Sequence, residues 1–354
     1  MSETLKPETS EQVRDAVRWS AENDTPVEII GHGTKRDIGR PGNVGHTLDV
    51  SALTGISLYE PEELVLSAGA GTPMSEIEEA VANSRQQLAF EPPDLSALLG
   101  HDAGKGTLGG TIACNLSGPR RIKAGAARDH FLGFKAVSGR GDAYKSGGRV
   151  VKNVTGYDLC KLLAGSWGTL GVMTELTVKV LPAPEKTRTV LVLGLDAVSG
   201  VAALTRAFHS PHDITGGTWL PESLSAGSDA SYVRDAGSSI TAIRVEGPGP
   251  SVEYRCQALR DELSSFGETE ELHGHNSGRF WTEIRDVLPF ARAAYLIATS
   301  AATYSVLTIP LARLKAFERA LSSVKPFVVC FNVPAAASAT NLSPLILVDK
   351  RNTA

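Results

Sequence analysis

Residues 150–183 read VVKNVTGYDLCKLLAGSWGTLGVMTELTVKVLPA. A glycine-rich turn, Gly165-Ser166-Trp167-Gly168-Thr169-Leu170-Gly171, runs into Val172–Val180, where apolar and polar residues alternate. The alternation and the β-branched residues predict a strand. Glycines at its entrance let the main chain come close to something large and polar. Just upstream, Leu159–Leu163 has room for one helical turn or two. Such a turn on its own is more often structural than functional, so its reading depends on the company it keeps upstream.

The bulk of the chain sets the limits. Its 354 residues, 42% hydrophobic and 21% charged, suffice for two domains of ordinary size with real cores. The formal net charge is −4 and there is no long basic run, which argues against nucleic acid, whose phosphates call for clustered Lys and Arg. Cys114, Cys160, Cys256 and Cys330 form no C-x-x-C pair, so neither an iron–sulfur nor a zinc framework is expected, and no metal site. Scattered thiols fit a reducing compartment. The opening MSETLKPETSEQVRD is polar and acidic, without the apolar stretch of a signal peptide, so a cytoplasmic protein is expected. Ala293–Ala312 is uncharged, but Thr299, Ser300, Thr303, Ser305, Thr308 and Pro310 dilute it. A membrane span needs about 20 apolar residues, so a buried strand or core helix is the expectation there.

Periodicity orders the rest. Residues 9–22 read as a helix capped by Thr9 or Ser10, with Val13, Ala16, Val17 and Ala21 on one face. Val27–Ile30, Thr47–Val50 and Leu64–Ala70 read as strands, and Pro73 opens a helix running to about Ser84. Leu132–Val137 and Arg149–Val151 are short apolar pieces among glycine turns. Beyond Pro182 and Pro184, a plausible boundary, Thr189–Leu195 and Ile240–Val245 read as strands. Ala197–His209 and Val252–Phe266 read as helices, giving a β-α-β-α rhythm compatible with a ferredoxin-like half. No glycine follows Gly278, although the chain holds 35.

Two further glycine segments carry chemistry. Gly31-His32-Gly33-Thr34-Lys35 follows a strand, and its N–H groups with the Thr34 hydroxyl can form a nest for a pyrophosphate; the bland alternative is a hairpin turn. Gly104-Lys105-Gly106-Thr107-Leu108-Gly109 matches G-x-G-x-x-G, but no clear strand precedes it and Gly110 is a poor helix opening, so a nicotinamide site is rejected. The run from Gly106 to Arg121 reads as a long loop, a kind that is uncommon unless it binds something. In it Gly109-Gly110 permits flat contact with a ring, Asn115 offers a donor and an acceptor, and Arg120 and Arg121 can meet phosphate or carboxylate. Solvated surface arginines are the alternative. His273, His275, His209 and His212 read as surface histidines, and no Ser-His-Asp constellation stands out.

Taken in order, the Gly31–Thr34 turn, the Gly109-Gly110…Asn115…Gly118 loop, and Lys152-Asn153-Val154-Thr155-Gly156-Tyr157-Asp158-Leu159 with Gly165–Gly171 resemble the FAD-binding domain of the vanillyl-alcohol oxidase (PCMH) type. Glu91-Pro92-Pro93, Gly118-Pro119-Arg120-Arg121, KNVTGYDLCKL and GSWGTLGVMTELTVKVLP are similar to the FAD-binding E subunits of bacterial glycolate oxidases. The resemblance is strong over residues 26–184, fainter through Phe280-Trp281 and Pro289-Phe290, and absent beyond.

The resemblance implies an α+β fold: a PCMH-type FAD-binding domain of two subdomains over residues 1–184, then a smaller ferredoxin-like α+β domain over 185–290. A divergent tail, 291–354, is native or the product of a disrupted reading frame. It implies that Gly31, His32, Gly33 and Thr34 hold the FAD pyrophosphate, that Gly109, Gly110 and Thr111 lie along the flavin with Asn115 and Gly118 nearby, and that Gly168, Gly171 and Val172 close the far side. Covalent-flavin relatives carry a His where this chain has Thr34, so non-covalent FAD is expected. No catalytic residue is assigned, with Arg120 the candidate cation near flavin or substrate. The implied function is that of an FAD subunit of a glycolate oxidase complex converting glycolate to glyoxylate. Its partners would be a D-type FAD subunit and an iron–sulfur F-type subunit, peripheral to the inner face of the cell membrane. The alternatives are a stand-alone 2-hydroxyacid oxidase or dehydrogenase, for which no C-terminal Asp-Gly-Asn-x-x-His element is present, and a flavin-free assembly subunit.

Overall fold

The computed structural model describes residues 3–38, 44–149 and 156–292. The Lys152–Thr155 part of the KNVTGYDL motif, Val150 and Val151, Cys330 and the uncharged Ala293–Ala312 segment lie outside them. The chain divides into two compact units: residues 1–117 with 125–183, and residues 118–124 with 184 onward.

The first unit holds a helix, Ser10–Glu22, started by the Thr9 hydroxyl, which accepts from Gln12 N at 3.2 Å. Its Val13 and Val17 pack with Leu48, Val50, Leu53, Val137 and Val172. Three parallel strands lie beside one another, with His46–Asp49 between Glu3–Leu5 and Val27–Ile30. A five-stranded antiparallel sheet follows the order Ile56–Glu60, Val65–Gly69, Val172–Lys179, Phe131–Val137, Ala143–Gly147. The helix Met74–Asn83 starts behind Pro73, and its Ile77 and Val81 enter a core with Leu66, Phe90, Leu108, Ile112, Phe134 and Leu176. Glu3–Leu5 and Ile56–Glu60 add strands to the expected set. Both are sheet edges whose residues are half-buried or exposed, and so show little hydrophobic alternation.

The run after Gly106 departs from the expected loop: Leu108–Ala113 is helical. The Thr107 hydroxyl caps it by accepting from Gly110 N at 3.2 Å. Gly109, which costs helix propensity, is required by packing, since a Cβ there would lie 2.8 Å from Ala70 O. The stretch before it still forms no strand, only an isolated bridge between Thr107 and Pro73.

The second unit is an antiparallel sheet of four strands in the order Ile214–Leu220, Ile240–Gly247, Lys186–Leu193, Thr269–Leu272. In chain order the second strand lies beside the third, the third beside the first, and the first beside the fourth, with helices Ala197–Phe208 and Gly249–Leu263 as crossovers. That is the ferredoxin-like arrangement. Val190, Val192, Leu204, Ile243, Val245, Val252 and Leu259 form the core on one face; Leu191, Leu220, Ala242, Phe280 and Trp281 form that on the other. Ile214–Leu220 is buried along its whole length, and Gly216-Gly217 in its middle hide it from alternation. A Cβ on Gly217 would lie 2.8 Å from the Phe208 ring. Among the described residues no helix is long and apolar enough to cross a membrane.

Candidate functional site

Three glycine-rich segments distant in sequence meet within the first unit. The turn after Val27–Ile30 lies against the segment leading into Leu108–Ala113. A Cβ on Gly31 would sit 2.6 Å from Thr107 Oγ1, so only glycine fits there without a shift. His32 donates from Nδ1 to Lys105 O at 2.9 Å, a choice of tautomer dictated by the carbonyl, which can only accept. Gly33 adopts φ +69°, a left-handed conformation suited to a main-chain nest. Thr34 lies beside Lys35, whose ammonium donates to Thr34 Oγ1 at 3.4 Å.

The Gly165–Gly171 turn docks on the other end of the short helix. Gly165 N donates to Ile112 O at 3.2 Å and Trp167 N to Ala113 O at 3.0 Å. A Cβ on Gly168 would touch Ile29 at 3.4 Å, which ties this turn to the Val27–Ile30 strand as well. Gly171 lies where a Cβ would be 2.9 Å from Val137 O, and Val172 is a buried core residue. Asn115 adopts φ +51° at the end of the short helix. Its Oδ1 accepts from Arg128 N at 3.0 Å. Gly109 and Thr111 are buried, whereas Gly110 is half-buried, with Thr107 Oγ1 and Lys35 Nζ 3.1 and 3.8 Å from the position of its missing Cβ.

Two charged residues that sequence reasoning passed over complete this cluster. Burial lowers the Lys35 pKa from its ordinary value, an effect that the neighbouring Cys114 and Asp94 only partly oppose. Burial would raise the Asp94 carboxyl, but N–H groups of Gly104 and Ser96, the Ser96 hydroxyl and Lys35 hold it below the usual carboxylate range. Gly104 N reaches Asp94 Oδ2 at 2.7 Å. Lys35 was visible in the Gly31–Lys35 motif, but nothing in that pattern marks a lysine as buried.

Gly118 and Arg120 belong to the second unit. There Arg120 forms a two-pronged bond to Glu246, Nε to Oε2 and Nη2 to Oε1, both at 2.9 Å. Arg244, 1% exposed, lies 3.8 Å from the same carboxylate, with its guanidinium 4.6 Å from the Trp281 ring centroid. Burial opposes ionisation of Glu246, yet Arg244 and Arg120 hold its pKa down to about 2. The guanidinium expected near flavin or substrate is thus engaged by a carboxylate, and it is no solvated surface arginine either. The histidines set aside in the sequence carry no metal constellation: among the described residues no three His, Cys, Asp or Glu side chains could hold a metal ion.

Residues 2–147 match the model of a protein family described as an FAD binding domain. Glycolate oxidase subunit GlcE of Escherichia coli (strain K12) is 43% identical over 175 residues, 49% of this chain and 48% of that protein. Glycolate oxidase subunit GlcD of Bacillus subtilis (strain 168) is 32% identical over 190 residues, covering 53% of this chain and 39% of that one. The chain thus spans about half or less of the length of these curated relatives. The fold extends further than the sequence likeness. A solved alkyldihydroxyacetonephosphate synthase superposes with a TM-score of 0.64 over 82% of this chain and 55% of that one, at 21% identity. That likeness bears on the fold alone; the three glycine segments fall together in one unit, with Gly165–Gly171 beyond the residues that match the family.

Proposed function

We propose that this chain is the FAD-binding subunit of a glycolate oxidase-type complex that converts glycolate to glyoxylate. The observation that carries the proposal is the convergence of the Gly31–Thr34, Gly106–Asn115 and Gly165–Gly171 segments in one unit, the first two within the residues that match an FAD-binding domain. The residues suit a dinucleotide: Gly33 at positive φ supports a main-chain nest, and Lys35 offers a cation without an ion-pair partner among the described residues. Gly31, His32, Gly33 and Thr34 would hold the diphosphate. Gly110 would face the flavin from the half-buried side of its helix, and Asn115, Gly168 and Gly171 would border it. Gly109, Thr111 and Val172 would support that wall from within the core. Thr34 stands where covalent-flavin relatives carry a His, which supports a non-covalent cofactor.

FAD, when bound, supplies the capacity to accept a hydride from the hydroxyl-bearing carbon. The chain's own residues bind and orient the cofactor. A D-type FAD subunit and an iron–sulfur F-type subunit complete the complex and pass electrons on, at the inner face of the cell membrane. Iron–sulfur centres belong to another chain in this reading, because Cys114, Cys160 and Cys256 are separate thiols with no metal constellation around them among the described residues.

The test is an absorbance spectrum of the purified chain, followed by anaerobic glycolate addition with and without the co-expressed partners. The expected result is a yellow chain that releases FAD on denaturation and is bleached by glycolate only with its partners. Bleaching of the isolated chain by glycolate or D-lactate would make it a stand-alone dehydrogenase. A colourless chain would make it an assembly subunit.

A further inference from the structure

We propose that Lys35 is the residue that reads the diphosphate of the dinucleotide, and so distinguishes FAD from flavins that lack it. This inference rests on the flavin-binding reading above. Three observations lead to it. First, the Lys35 ammonium is placed at the glycine segments: it lies 3.4 Å from Thr34 Oγ1, and 3.8 and 3.9 Å from where Cβ atoms of Gly110 and Gly106 would be. It therefore stands over two backbone positions that lack side chains, beside the Gly31–Thr34 nest.

Second, no carboxylate among the described residues forms an ion pair with it, although Asp94 acts on it electrostatically. Lys35 makes no ion pair among the described residues. Of the two groups that act on it electrostatically, Cys114 is a thiol pushed up to about 11 by burial, and hence uncharged near neutral pH. The other, Asp94, accepts at Oδ2 from Gly104 N at 2.7 Å and at Oδ1 from Ser96 N at 3.0 Å. Asp94 therefore holds the loop before the short helix, and its charge only partly opposes the effect of burial on Lys35. Third, a half-buried ammonium with no ion-pair partner among the described residues costs stability, and that cost is recovered when an anion arrives. The adjacent nest of N–H groups selects for a negative ligand by the same logic. A diphosphate can meet the nest and the ammonium together, whereas the uncharged isoalloxazine ring needs neither.

The experiment compares wild-type full-length chain with Lys35→Met and Lys35→Arg. Affinities for FAD and for riboflavin are read by flavin fluorescence, those for ADP and inorganic pyrophosphate by calorimetry, and the thermal midpoint of the flavin-stripped protein is recorded. The expected result for Lys35→Met is a fall of about tenfold to a hundredfold in affinity for FAD, the size of a lost charge-assisted hydrogen bond. ADP and pyrophosphate affinity should fall in parallel, and riboflavin affinity should stay level. Lys35→Arg should recover part of the FAD affinity, since it restores the charge. The flavin-stripped Lys35→Met protein should melt at the same temperature as wild type or higher, because a half-buried charge without an ion-pair partner among the described residues has been removed.

An unchanged FAD affinity in Lys35→Met would overturn the assignment. Equal losses for FAD and riboflavin would also overturn it, by moving the ammonium to the ring. A lower melting temperature in the stripped Lys35→Met protein would make Lys35 a structural residue. Wild-type protein that binds neither FAD nor riboflavin would instead sink the flavin-binding reading itself, and the assignment with it.

Discussion

The two units handle buried charge in opposite ways. In the second, Arg120, Arg244 and Glu246 form a closed set in which the carboxylate receives both prongs of one guanidinium, while the other guanidinium also rests on Trp281. In the first, Lys35 stands among glycines with one long hydrogen bond to its neighbour's hydroxyl. A set whose opposite charges meet within the folded chain serves the fold. An open one is complete only with something added, and so points to a ligand. The contrast separates two basic residues that look alike in sequence: Arg120 is engaged by Glu246, whereas Lys35 has no ion pair among the described residues.

The largest effect expected from breaking this contrast is at Glu246. Glu246→Ala would leave Arg120 and Arg244 buried without their carboxylate, which typically costs about 3–5 kcal/mol. Urea unfolding followed by Trp219 and Trp281 fluorescence should show the second unit losing stability by that order. A loss below about 1 kcal/mol would mean that the network is not closed as described.

Acid should produce a related effect, and its sign follows from linkage. The Glu246 pKa lies at about 2 in the folded chain against 4.5 for an unperturbed Glu. A depressed carboxyl contributes stability that is fully present above the unfolded value and is lost as pH falls through the folded one. The loss attributable to this group therefore falls between pH 4.5 and about 2. Lys35 behaves in the opposite sense. Its lowered pKa means that the unfolded chain holds the proton more tightly, so the flavin-free first unit gains stability as pH rises from the folded pKa toward 10.5. Thermal melts of wild type against Glu246→Gln in acid, and against Lys35→Met in alkali, should lose the acid slope in one variant and the alkaline gain in the other.

A smaller effect is expected at Gly31. Its Cβ would fall 2.6 Å from Thr107 Oγ1, a contact that requires a shift of the cap of the short helix. Gly31→Ala should cost about 1–3 kcal/mol as an overpacking change and lower flavin content in the purified chain. Full flavin content with unchanged stability would show that the first two glycine segments do not press on each other.

These contrasts also show what could be read from sequence. Strands with clean alternation, such as Val172–Lys179 and Ile240–Gly247, and helices with a capping hydroxyl or carboxylate, such as Ser10–Glu22 behind Thr9 and Ala197–Phe208 behind Asp196, were legible. The Leu108–Ala113 helix was not, because Gly109-Gly110 argue against a helix locally while Ala70 demands a glycine tertiarily. Ile214–Leu220 was hidden for the same reason by Gly216-Gly217. The convergence of the three glycine segments was legible through resemblance. The partner of Arg120 lies 126 residues away on another strand, and no local pattern could have revealed it. The burial of Lys35 depends on the Gly104–Gly110 backbone folding over it, again a tertiary fact.

The finest test of the contrast is Gly110→Ala. A methyl there would lie 3.1 Å from Thr107 Oγ1 and 3.8 Å from Lys35 Nζ, tight against the first and in ordinary contact with the second. Replacing a helical glycine by alanine gains about 1 kcal/mol in propensity, which offsets the crowding of the hydroxyl, so net stability should change by less than about 1 kcal/mol. The methyl would nonetheless occupy the half-buried face that the ammonium overlooks, and FAD affinity should fall while the melting temperature holds. Gly110→Leu should extend this to near-complete loss of flavin in a chain that still folds. If either variant keeps wild-type flavin content, the ring does not approach the chain at Gly110, and the open face of the first unit must be sought nearer Gly168 and Gly171. The closed network around Glu246 should be indifferent to both substitutions, so the second unit's urea transition serves as the internal reference.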